Sequence, residues 1–266
     1  MSDRLNLALL QSPADLEGQA ARLTWLEARL QELASASPDI VVLPELFQCG
    51  YNVAARLSAA GEPRDGAFAQ AVAALARAQD TAIVYGCAER DGDALYNAAL
   101  AFGRDGRMLG HHRKLLLPPG FEGEHFAPGE GSVLFGIGAF KVALLVCYDV
   151  EFPETVRHVA MAGADLVIVP TALSDQWPLV ADKLVPVRAF ENGVFLAYCN
   201  HSGTENGLTY HGGSCIVAPD GADLARAGAA PQSLSATLDH AAVARARARL
   251  PYHRDRAALP WVMTGG

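Results

Sequence analysis

None of the five cysteines (Cys49, Cys87, Cys147, Cys199, Cys215) belongs to a Cys-x-x-Cys pair, which argues against both a zinc ribbon and a disulfide framework. They are expected to be free thiols, and a free thiol is by default a small buried hydrophobe. No apolar run reaches membrane-spanning length, and Met1-Ser2-Asp3-Arg4 leads straight into a strand-like stretch with no leader pattern, so a cytoplasmic protein is expected. Charge is sparse, at 19% of residues with a net charge of −8, and there is no basic stripe. The arginines of 244–250 are confined to one short helical-looking segment, so no nucleic acid partner is expected. A Gly-x-Ser-x-Gly elbow is missing, the nearest material being Gly212-Gly213-Ser214-Cys215, which disfavours a serine hydrolase. Convergent metal ligands are missing too, because His111 and His112 adjoin on one strand and would face opposite ways; no metal and no cofactor are expected.

What is present is ample apolar material, 51% of 266 residues, with no long polar linker. That favours one domain over residues 1–266. Strand-like runs of Val, Ile, Leu and Ala recur at 5–10, 40–43, 82–86, 97–102, 140–146, 166–169, 194–199 and 214–218, a pattern expected of strands buried on both faces. Leu16, Leu23, Leu26, Leu30 and Leu33 form one apolar stripe of an amphipathic helix, and further helices are predicted over 67–78, 153–162 and 179–191. Alternation of helices with buried strands predicts an α/β fold whose sheet is covered on its outer side. The turns Arg90-Asp91-Gly92-Asp93 and Arg104-Asp105-Gly106-Arg107 predict hairpins, so the sheet should be mixed. The aperiodic, Pro- and Gly-rich stretch 118–131 reads as a long functional loop.

Two buried-looking strands deliver reactive groups at their carboxyl ends, where α/β sheets place ligand-binding residues. Ile40-Val41-Val42-Leu43-Pro44 ends in Glu45. Phe140-Lys141-Val142-Ala143-Leu144-Leu145-Val146 ends in Cys147-Tyr148-Asp149, just before Phe152-Pro153-Glu154 starts a helix. A thiol on such an elbow is presented on a sharp turn, with backbone N–H groups available to an oxyanion. The alternative is a core cysteine closing a strand. Basic residues cluster in His111-His112-Arg113-Lys114, and the following loop holds Glu122 and Glu124 between Phe121 and Phe126.

Taken in order, Pro-Glu-Leu-Phe, Arg-Lys-Leu, Glu followed by Phe-x-Pro-Gly, and Cys-Tyr-Asp with Phe-Pro-Glu resemble the nitrilase superfamily. The later blocks Arg188-Ala189-Phe190-Glu191-Asn192-Gly193 and Gly213-Ser214-Cys215-Ile216-Val217-Ala218-Pro219-Asp220-Gly221 extend the resemblance over nearly the whole chain. It implies a four-layer αββα sandwich of two mixed sheets with outer helices, commonly a homodimer or higher homo-oligomer. It also implies a metal-free Glu–Lys–Cys triad: Glu45 as general base, Lys114 as cationic stabiliser and Cys147 as nucleophile. Glu122 is the second glutamate on this reading and Glu124 its competitor.

These residue types suit the chemistry. A thiol near its ordinary pKa is mostly protonated, so it needs a base or a nearby cation. Attack on a carboxamide would load charge on oxygen, for which Lys114 and the Tyr148 N–H are the candidate donors. Cys-Tyr-Asp resembles the amidase-like branches, whereas true nitrilases usually carry Cys-Trp-Glu. A small carboxylic amide is therefore the expected substrate, ahead of an N-carbamoyl compound and a nitrile. Phe47, Tyr51, Phe121, Asp149, Thr171, Asp175 and Trp177 follow the active strands or lie in adjoining loops and are candidate pocket walls. Outside the enzyme class, the competing reading is a non-catalytic binding protein on the same fold.

Overall fold

A computed structural model describes residues 3–53 and 56–260. Its two six-stranded sheets are built from β1 (Arg4–Gln11), β2 (Ile40–Val42), β3 (Ala82–Asp91), β4 (Ala94–Phe102), β5 (Met108–Arg113), β6 (Leu134–Ile137), β7 (Phe140–Leu144), β8 (Leu166–Pro170), β9 (Phe195–Cys199), β12 (Cys215–Val217), β13 (Asp223–Arg226) and β14 (Gln232–Asp239). The first sheet runs β14-β1-β2-β3-β4-β5 and the second β13-β12-β9-β8-β7-β6; β10 (Ser202–Glu205) and β11 (Leu208–His211) form a separate hairpin. Both sheets are mixed. Parallel pairs sit at their centres (β1-β2-β3 and β7-β8-β9), and antiparallel strands complete the edges.

The period-2 side-chain alternation of strands builds the layers. Leu7, Leu9, Ile40, Val42 and Val84 of the first sheet meet Val142, Leu144, Ile168 and Ala197 of the second in one inter-sheet core. The intervening residues point outward. Ala8, Leu10, Val41, Ile83 and Tyr85 pack against Leu26 and Leu30 of α1 (Gly18–Leu33) and Phe68, Val72 and Ala76 of α3 (Ala67–Ala78); α2 (Leu57–Ala60) is a single turn between them. Ala143, Leu145, Val167, Val169 and Leu196 pack against Val156, Val159 and Ala160 of α5 (Pro153–Met161) and Val185 and Ala189 of α6 (Val185–Asn192). The result is the αββα sandwich that the resemblance implied.

Two local features differ from the sequence expectation. The stretch 118–131 is not loop throughout, since α4 (Phe121–His125) forms one turn inside it. The helix predicted over 179–191 opens as a π-helical turn, Val180–Leu184, before α6; Pro186 has no N–H to close the ordinary bond to Asp182. The arginine-rich segment forms α7 (Ala241–Arg249), followed by α8 (Tyr252–Ala257). His111 and His112 do face opposite ways: His111 meets Glu89 at 2.6 Å, and His112 is buried against Asp149 at 3.1 Å.

Candidate active site

Glu45 is reached from β2 through Leu43 and Pro44, and the chain turns sharply after it with Leu46 at φ 49°. This segment crosses β3 so closely that any side chain at Gly86 would collide with the Glu45 and Leu46 backbone. Residues just beyond β8 and β9 of the second sheet hold Glu45 as well. Its N–H donates to the Thr171 carbonyl at 3.3 Å, and its carbonyl accepts from His201 Nε2 at 2.7 Å.

Lys114 follows β5 and is buried. Its Nζ donates to Glu45 Oε1 at 2.8 Å and to the two Glu122 oxygens at 2.6 and 2.7 Å. Desolvation opposes the ammonium charge, but Glu45, Cys147 and Glu122 outweigh it and raise the lysine pKa above its ordinary value. An ammonium between two carboxylates is the arrangement in which a buried cation is tolerated. Burial pushes the Glu45 carboxyl up to about 7, with Lys114 pulling it down and Glu122 pushing further up. Glu45 Oε2 carries no hydrogen bond among the described residues, so this oxygen is the one available for proton transfer.

Glu122, carried by α4, is 1% exposed, whereas Glu124 one half-turn on is exposed. Glu122 is therefore the glutamate that meets Lys114. The Tyr51 hydroxyl donates to Glu122 Oε1 at 2.7 Å, and Asn97 Nδ2 donates to both Glu45 Oε1 (2.6 Å) and Glu122 Oε2 (3.1 Å).

Cys147 opens a 3-10 turn, Cys147–Glu151, at the end of the β7 run, and takes the left-handed conformation at φ 41°. Pro153 then starts α5, a position where its missing N–H costs nothing. Burial pushes the thiol pKa up, and Glu45 adds to it, while Lys114 and a Thr171 hydrogen bond pull it back. The net effect is upward, so the resting group is a thiol, and it needs a base to become a nucleophile. The Tyr148 N–H lies in the first turn, where amide groups have no partner within the helix itself.

Of the other expected wall residues, Tyr51, Phe121 and Thr171 are gathered here: the Tyr51 and Phe121 rings pack at a tilt with centroids 5.5 Å apart, and the Thr171 hydroxyl donates to Tyr198 Oη at 2.9 Å. Four are placed elsewhere. Phe47 is a core residue between Trp25 and Phe68, because the turn at Leu46 sends the next side chain toward the helices. Asp149 is fully engaged internally: Oδ1 accepts from the Leu115 and Leu116 N–H groups, and Oδ2 from the Val146 N–H and His112. Asp175 and Trp177 lie on an exposed segment after β8, with Trp177 63% exposed.

Asn97 and His201 were missed. Asn97 left a signal, being an amide in the otherwise small and apolar run Asn97-Ala98-Ala99-Leu100-Ala101-Phe102, where a buried polar group requires a partner.

The carbon-nitrogen hydrolase family model matches residues 6–248. The chain belongs to the carbon-nitrogen hydrolase family. A Pseudomonas protegens protein described as the hydrolase in the pqqF 5' region is 39% identical over 255 residues, covering 95% of this chain and 89% of its own. A nitrilase from Pyrococcus abyssi is 36% identical, over 73% of each chain. Among solved structures, an amidase from Nesterenkonia sp. superposes with a TM-score of 0.84 at 33% identity, covering 95% of this chain and 96% of that one. A variant of that amidase shows covalent addition of the acetamide moiety of fluoroacetamide at its active-site cysteine. Carbon-nitrogen hydrolases of this nitrilase-superfamily type thus include both amidases and nitrilases among the chain's relatives.

Proposed function

We propose that the protein is an amidase that cleaves a small carboxylic amide to acid and ammonia through a thioester on Cys147. The observation that carries this reading is the buried Lys114 ammonium, held between Glu45 and Glu122 beside a thiol on a strand-to-turn elbow.

In the first step Glu45 takes the thiol proton as sulfur bonds to the carbonyl carbon, and the C=O electron pair moves onto oxygen. Lys114 and the Tyr148 N–H stabilise that oxyanion; removing one such donor typically costs about 3–4 kcal/mol of transition-state stabilisation. Collapse of the tetrahedral adduct breaks the C–N bond, and the nitrogen leaves as ammonia with the proton held by Glu45. Glu45 then deprotonates water, a C–O bond forms, the C–S bond breaks, and the returned proton restores the thiol. Glu122 keeps Lys114 charged and in place throughout. A carboxyl poised near 7 suits a group that is base, acid and base again.

Ammonia release from a panel of small primary amides, N-carbamoyl compounds and nitriles, with Cys147→Ala in parallel, tests the reading. Release from amides, lost in the variant, is expected. Release only from carbamoyl compounds or nitriles reassigns the branch, and no release from any of them favours a binding protein. The working form on this reading is a single-domain protein acting in the cytoplasm as a homodimer or higher homo-oligomer. Apolar side chains left exposed on the helical layer of the second sheet, including Met161, Val187 and Phe190, support the assembly.

A further inference from the structure

The hairpin β10-β11 lies outside both sheets, yet its first strand ends in a buried glutamate, Glu205, that no step of the mechanism uses. Its Oε2 accepts three hydrogen bonds: from the Tyr51 N–H at 3.0 Å, the Asn52 N–H at 2.7 Å and the Tyr210 hydroxyl at 2.8 Å. Its Oε1 lies 3.7 Å from Arg22 of α1, which is 1% exposed and also donates to the Phe47 carbonyl at 3.1 Å. The contact is made possible by Gly50, at φ 91°, where any side chain would collide with Glu205 Oε1. Asn52 and Asn206 reinforce the join by exchanging side-chain hydrogen bonds to each other's carbonyls, at 3.1 and 2.7 Å.

The segment pinned in this way is the one that carries Tyr51. Its hydroxyl, kept protonated by burial and by the anionic neighbours Glu45 and Glu122, donates at 2.7 Å to Glu122 Oε1, which in turn accepts from Lys114. A linked path therefore runs from Arg22 and Glu205, through the Tyr51 backbone and its side chain, to Glu122 and Lys114. A buried carboxylate with three donors is a rigid anchor, and an anchored backbone amide fixes where the attached ring can reach.

We infer that Glu205 is a positioning residue for the Glu45–Lys114–Cys147 site, acting through Tyr51 to set the Glu122 carboxylate that orients the Lys114 ammonium. This rests on the proposed role of Lys114 and Cys147. If Glu205 served only the stability of the hairpin, its removal would lower the melting temperature and leave the site's reactivity alone. If it acts through Tyr51, removing Tyr51's hydroxyl first should make the loss of Glu205 inconsequential to the site.

The test is a double-mutant cycle on wild type, Tyr51→Phe, Glu205→Gln and the double variant. The readouts are the second-order rate of Cys147 alkylation by iodoacetamide, followed by mass spectrometry, and kcat with amide substrate. Each single variant should slow alkylation and kcat by about tenfold with KM little changed, and the double variant should be no slower than the worse single. Multiplying effects, or a Glu205→Gln variant that melts earlier while Cys147 reacts at the wild-type rate, would overturn the inference. Glu205→Asp, which keeps the charge and shortens its reach, takes the same place in the cycle should the Gln variant not fold. Coupled alkylation rates in a protein that hydrolyses no amide would sink the amidase reading and leave the positioning role standing.

Discussion

Cys147 and Leu46 are non-glycine residues held at positive φ, 41° and 49°, and each sits at a bend that aims one reactive group, the thiol or the neighbouring Glu45 carboxylate. Such conformations cost about 1–3 kcal/mol each and persist where surrounding contacts over-determine them. Here the hold of Thr171 and His201 on the Glu45 backbone and the Asp149 hydrogen bonds supply those contacts. The protonation state at the centre has a measurable consequence. The Glu45 carboxyl is raised to about 7, with Lys114, Glu122 and Cys147 facing it, so it is increasingly protonated as pH falls below that value. On the proposed mechanism Glu45 must start ionised, so kcat/KM should fall about tenfold per pH unit on the acid side, with the limb near 7 and not near 4.5. Asn97→Ala removes a donor that favours the ionised carboxylates and should move that limb to higher pH, a shift read directly from the pH–rate profile. An unmoved limb would show that Asn97 holds geometry only. Glu45 and Cys147 stand out in the sequence because each ends an apolar strand-like run, whereas Lys114 and Glu122 stand out only through the family resemblance. His201 was not, because its partner is a backbone carbonyl 156 residues away, and sequence spacing carries no trace of that.

At the level of elements, Asp149 joins two pieces that belong to different sheets. It caps the turn that presents Cys147 and holds the backbone of Leu115 and Leu116, directly after Lys114. Asp149→Ala strands those N–H groups and the His112 ring, and each buried unsatisfied group costs about 1–3 kcal/mol. We expect a large drop in melting temperature and, in whatever fraction folds, slower alkylation of Cys147; wild-type alkylation in a folded variant would confine Asp149 to stability. Which elements could be read from the sequence follows from burial. The central strands β2, β8 and β9 are continuous apolar runs, β7 is one broken only by Lys141, and all four were expected close to where they occur. β14 was not expected: in Gln-Ser-Leu-Ser-Ala-Thr-Leu-Asp only Leu234, Ala236 and Leu238 face the core, an edge-strand alternation too dilute to stand out. β10 and β11 are short and largely polar, so the hairpin that carries Glu205 had no signal of its own.

For the molecule as a whole, the two outer helical layers differ. On the layer of α5, α6 and α8, Met161, Val187, Phe190 and Tyr252 are exposed, and the Phe190 and Tyr252 rings lie 5.9 Å apart. Large apolar side chains grouped on one face favour association. Light scattering should therefore give at least twice the 28.1 kDa chain mass, and Phe190→Glu should lower it toward the monomer. A wild-type monomer at micromolar concentration would remove the assembly from the proposal. The four-layer plan was legible only through the resemblance, since alternation of buried strands and helices is equally compatible with a single doubly wound sheet.

The pairing of Arg4 with Asp239 and of Gln11 with Gln232 also has a meaning in time. A ribosome delivers β1 first, and β14 follows more than two hundred residues later, roughly ten to forty-five seconds at ordinary synthesis rates. Until then the first sheet has β1 as an open edge, with unpaired amides and carbonyls along its length. Wrong pairing along β1 is thus open to the nascent chain throughout that interval, and closes only when β14 is available to cover the edge.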